Sequence, residues 1–181
     1  MFLEGDIMQK DALKQILDMK MKKKRSLLFD HDSAILQELS LTLTQLSHQR
    51  LICYMHQIIK DMLNEYDLSF YQLPIKIAIE QNWLWATNEI KMGEAKKEIL
   101  HLHQLAKTAK PFDAYLLHGI AQGLSVTHTK KHAMGLFFYE LSGLYYAKGD
   151  ADIITSKIAR YQQATKHIDC PNTTWATFIK G

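Results

Sequence analysis

The chain is poor in residues that break regular structure: 181 residues contain only three prolines and eight glycines. A β-sandwich or barrel needs turn residues at short intervals, so this scarcity argues against many short strands and for long helices. Cysteine is also scarce. Cys53 and Cys170 stand far apart without CxxC spacing, which excludes a dense disulfide framework and a zinc ribbon; with no secretory context they are expected to be reduced thiols in the cytoplasm, Cys53 as a small core residue. No apolar run reaches the roughly 18 residues of a membrane span, and the start, Met1 to Asp6, carries acid where an export signal carries base. Neither export nor anchoring is expected. Charge of one sign is lacking too: 22 basic against 19 acidic residues, formal net charge +3, gives no footprint for nucleic acid.

What is present is an ordinary globular balance, 47% hydrophobic and 23% charged, in a length suited to one domain. The apolar spacing predicts an all-α bundle of seven or eight helices. The first runs from Asp6, its expected N-cap, to about Lys24 and ends in the cations Lys20, Lys22, Lys23, Lys24 and Arg25, which suit a helix C-terminus or a phosphate-binding patch. A long helical region from Asp32 to Tyr66 is broken near Ser47. Pro74 fits the first turn of the next helix, which Gly93 ends or bends. Glu94 to Lys107 and Phe112 to about Thr127 follow, then a junction and the strongly apolar helix His132 to Lys148, closed by Gly149. Asp150 or Asp152 caps a last helix to about His167, and Trp175 and Phe178 pin the tail. Trp83, four residues after Ile79, is expected inside, and Trp85 partly exposed.

The stretch Leu73-Pro74-Ile75-Lys76-Ile77-Ala78-Ile79, then Trp83, then Glu89 to Lys96, together with Gly123, His128, His132, Ala133, Gly135 and Tyr139 in that order and spacing, resembles the Imm-five-like putative immunity protein family over about residues 47–148. The resemblance implies a compact helical bundle from a bacterial competition system that neutralises a co-encoded toxin by direct contact, with no established catalytic residues. It assigns no cofactor.

His128 and His132 stand at i and i+4, a spacing that sets two imidazoles on one helical face and offers two ligands to a divalent metal. A third donor would come from His118, Asp113, Glu140, His101 or His103. If residues 127–131 form a junction, the two rings instead brace two helices. His101 and His103 point to different sides of a helix and read as surface residues. Thr129 follows His128 where a zinc protease needs Glu, and the common phosphate-loop and nucleophile motifs are missing. Two functions therefore stand side by side: a non-enzymatic toxin-binding protein, and a metal-dependent helical enzyme or metal-binding protein using His128 and His132. A homodimer is compatible with so apolar a set of helices.

Overall fold

In the computed structural model, residues 4–179 are described, with side chains from residue 10 onward. Eight α-helices and no strand occur among them: α1 Glu4–Lys22, α2 Gln37–Gln45, α3 His48–Glu65, α4 Gln72–Ala86, α5 Met92–Ala106, α6 Pro111–Ser125, α7 Ala133–Lys148 and α8 Ala151–Ala164. Short 3-10 turns lead into α2, α4 and α7.

Local chemistry sets most boundaries. Lys24 takes a left-handed φ of 53° and stops α1, while Lys20 turns back to the Leu28 carbonyl and Asp30. Asp6 lies inside α1 and is not its cap. The expected break falls at Ser47, whose hydroxyl accepts from the Arg50 amide and caps α3. Pro74 does sit in the first turn of α4, and Pro111 opens α6. Gly93, however, lies inside α5 rather than ending a helix. The chain has already left α4 at Ala86, and Asn88 supplies the left-handed residue at φ 65°, a conformation asparagine tolerates because its side chain bonds locally. Gly149 at φ 63° closes α7, and Asp150 caps α8 through the Asp152 amide.

α7 is buried nearly all round, as expected of a helix apolar on every face. α6 lies antiparallel against it at close range. A β-carbon on Gly143 would come within 2.7 Å of Tyr115 Cβ, one on Gly119 within 3.2 Å of the Leu136 carbonyl oxygen, and one on Gly123 within 2.7 Å of Leu136 Cδ1. These glycines let the backbones approach as no larger residue would. Buried residues from Leu17 to Ile179 join in one hydrophobic cluster around this pair.

Two expectations are corrected. Cys53 and Cys170 form a disulfide across 117 residues, Cα to Cα 5.5 Å, so the reduced-thiol reading fails. Distance along the chain carried no information here, because the C-terminal segment folds back over α3. Trp85 is the buried indole and Trp83 the half-buried one. The inward face of α4 is Ile75, Ala78, Asn82, Trp85 and Ala86; a polar Asn at its centre hides that phase, and counting from Ile79 selects the flank.

Candidate functional site

His128 and His132 do not share one helix turn: His128 stands in the turn after α6 and His132 at the end of the 3-10 turn before α7. His128 is exposed in the turn after α6, its ring stacked on Trp85 at 6.3 Å between centroids. His132 is half-buried, and its Nδ1 lies 2.8 Å from Gln122 Oε1, so Nδ1 carries the hydrogen. One ring thus contacts α4 and the other α6. His118 pairs elsewhere: its Nδ1 is 2.7 Å from Nδ1 of His103 on α5, one ring donating and the other accepting. His103 is therefore an interhelical contact and not a plain surface residue. His101 is exposed near Glu98, and Glu140 is engaged in the core. Among the described residues no three of His, Cys, Asp or Glu gather as metal donors.

The imidazoles end a seam of rings. Tyr146, Tyr115, Tyr139, His118 and His103 follow one another at centroid distances of 5.9, 6.5, 5.1 and 5.0 Å. Its far end is tied down by hydroxyls: Tyr115 donates to the Ser26 carbonyl and Tyr146 to that of Arg25. Burial holds His103, His118 and His132 below the ordinary histidine pKa, with the charges of His118 and His132 adding to the effect at His103, and that of His128 at His132. Protonating the accepting nitrogen of the His103–His118 pair would face two donors against each other.

Half-buried His56 is also lowered by burial, against the opposing effect of the hydrogen bond it donates to Asn82. Each of these groups has a folded pKa below its unfolded value. Above about pH 6.5 their contribution is intact; as pH falls through that value the unfolded chain takes up protons first, and stability declines toward the folded pKa values. Melting temperature is therefore expected to drop between about pH 7.5 and 5.5, before carboxylates titrate. His118→Asn should flatten the slope; a melting temperature constant or rising toward acid contradicts this.

Two polar constellations lie in the core. Asn82 on α4 accepts at Oδ1 from His56 Nε2 (2.9 Å) and the Thr127 hydroxyl (3.0 Å), and donates from Nδ2 to the Leu124 carbonyl (2.8 Å). Glu140, with no exposed surface, takes Lys157 Nζ at 2.8 Å and the Tyr66 hydroxyl at 2.9 Å. Lys157, 5% exposed, also reaches Glu65 at 2.6 Å, which Arg160 meets at 3.1 Å. The Lys157 ammonium lies over the Tyr66 and Tyr161 rings. Burial and the nearby Glu140 charge push both tyrosines well above their ordinary range. Burial opposes ionisation of Glu65, but its bonds to Lys157 and Arg160 outweigh that and hold it low. The network ties α3, α7 and α8 together through Glu65, Glu140 and Lys157, and Lys157, Arg160 and Tyr161 also line a cavity of about 320 Å³.

Among the described residues, two apolar features of the surface are extended enough to matter for contact. A groove of about 900 Å³ opens beside α1, floored by Leu13, Ile16, Leu17, Leu28, Phe29 and Ile35. Its cations Lys10 and Lys20 are already matched to Asp152 and Asp30. The other is a stripe on the outer face of α4 and the turn before it: Phe70, Leu73 and Ile77, at i, i+3 and i+7, are 87%, 68% and 36% exposed. Lys76 and Glu80 pair at 3.9 Å on the same helix. Large apolar side chains stacked outward at helical spacing are what an interface anchor requires and what core packing does not. In the sequence Leu73 and Ile77 belong to the family-like stretch, and nothing there marks them as surface residues.

Residues 41–167, well over half the chain, match the family described as Imm-5 like putative immunity protein. The match extends at both ends beyond the segment expected from the sequence. No protein of curated function and no solved structure matches the chain.

Proposed function

The chain belongs to the Imm-5 like putative immunity protein family, and from that premise we propose that it neutralises a toxin by direct contact, using the Phe70–Leu73–Ile77 stripe as its anchor. The observation that carries the surface is the exposure of these three side chains on one helical face. Their burial against a partner removes apolar area from water, the dominant favourable term in association. Mixed, mutually paired surface charge fits such a contact better than an acidic decoy.

The reading is tested by survival of cells that express the toxin-like protein encoded beside this chain. Co-expression of the chain should restore growth. The double substitution Phe70→Asp, Leu73→Asp should abolish protection with melting temperature nearly unchanged, since both side chains are already in water. Absence of protection by the intact chain overturns the immunity reading; full protection by the double variant overturns the surface.

A further inference from the structure

The C-terminal segment 168–179 has no regular structure and lies across the outside of α4. It begins where the family match ends, at residue 167. Its main chain makes one hydrogen bond to another element among the described residues, Ala176 N–H to the Ala86 carbonyl at 2.8 Å. Side chains supply the rest: Trp175 meets Trp83 edge-on at 5.5 Å, and Phe178 stacks on Trp85 at 5.4 Å, opposite His128. Ala176 and Ile179 are buried, while Pro171, Asn172, Thr174 and Thr177 face water. The first half of the segment is thus fixed chiefly by Cys170, bonded to the buried Cys53 on α3.

We propose that the Cys53–Cys170 disulfide is a redox latch: closed, it holds the 168–179 strap over the Trp83 and Trp85 face of α4, and reduction by a dithiol releases the strap and uncovers that face. A thiolate of the dithiol attacks the half-buried Cys170 sulfur and expels the Cys53 sulfur, which takes up a proton. The second thiolate then closes a disulfide within the reductant and frees Cys170 as a thiol. Two electrons pass to the protein, which gains two thiols, and the dithiol is oxidised to its disulfide. Without the covalent tie the strap's contacts must hold a segment with almost no main-chain anchoring, at the full entropic cost of ordering it. The bond instead keeps the strap at high effective concentration over its seat. The helices carry their own hydrogen bonds and core, and need not open.

The three tryptophans of the chain, Trp83, Trp85 and Trp175, all sit at this seat, so emission reports the strap directly. The full chain is treated with dithiothreitol until two thiols per chain titrate, beside an untreated sample and the Cys170→Ser variant. Reduction and the variant should both shift emission to longer wavelength and speed exchange of the Ala176 amide by about tenfold or more, with helical circular dichroism unchanged. Unchanged emission and exchange after complete reduction overturn the latch. So does loss of helical signal on reduction, which makes the bond a staple of the whole fold, and so do two free thiols in the untreated sample. The proposal stands independently of the immunity reading.

Discussion

Lys157→Met is expected to destabilise the protein by about 3–5 kcal/mol, the usual result of removing one partner of a buried ion pair. The substitution keeps the aliphatic stem and its contact with Tyr66 and Tyr161, so the loss reports charge rather than volume. It strips Glu140 Oε1 of its cation, leaving only the Tyr66 hydroxyl, while Oε2 already lacks a hydrogen-bond partner. Glu65 is better placed, because it retains Arg160 and is partly exposed. Removing the orphaned charge as well, in Glu140→Gln with Lys157→Met, keeps the Tyr66 hydrogen bond and should recover about 2 kcal/mol or more of the loss. Chemical denaturation of the two single variants and the double variant measures this. Additive losses would contradict the pairing, and a single-variant loss under about 1 kcal/mol would place water, not Lys157, opposite Glu140.

Asn82→Leu should cost about 3 kcal/mol or more, although leucine is nearly isosteric and the site is fully buried. The change deletes one acceptor and one donor and strands two partners, His56 and the Thr127 hydroxyl, while the Leu124 carbonyl loses its side-chain donor and keeps the Thr127 amide at 3.3 Å. Each buried group left unsatisfied costs about 1–3 kcal/mol, which outweighs the gain from burying a more apolar side chain. Asn82→Asp offers a control. It keeps the acceptor for His56 and Thr127 and loses the bond to Leu124, and protonated His56 can answer its charge, so its penalty should shrink as pH falls. Urea titrations at pH 7.5 and pH 6 separate the cases; a leucine variant as stable as the parent would show that the three helices do not depend on this hub.

These two constellations were also the least legible parts of the chain. Helix count, the break at Ser47, the proline starts and the packing of α6 on α7 follow from local rules: periodicity, caps, fixed φ and small residues, each written within a few positions. Asn82 breaks the apolar face of α4 at its centre, so reasoning by apolar spacing shifted the phase and put Trp83 inside instead of Trp85. Lys157 sits on an amphipathic helix where lysine ordinarily faces water, and Glu140 was considered only as a metal donor. Neither residue type announces a partner that lies 17 positions away in one case and 92 in the other. The same holds for Cys53 with Cys170, and for His103 with His118, which lie on different helices 15 positions apart. The motif histidines and glycines were legible as a group because they lie in one stretch; what joins them, Gln122 and Trp85, was not.

The glycine and histidine part of the family-like pattern lies at the packing of α6 on α7, where the glycines face close neighbours and His132 Nδ1 is taken by Gln122. The outward stripe on α4 is open.

Hydrogen–deuterium exchange on the purified chain, with and without the toxin-like protein encoded beside it, tests the proposed contact most directly. The account predicts that complex formation slows amide exchange across residues 69–80 more than anywhere else in the chain. A stable complex in which those amides exchange at the free rate, with slowing confined to other helices, would contradict it.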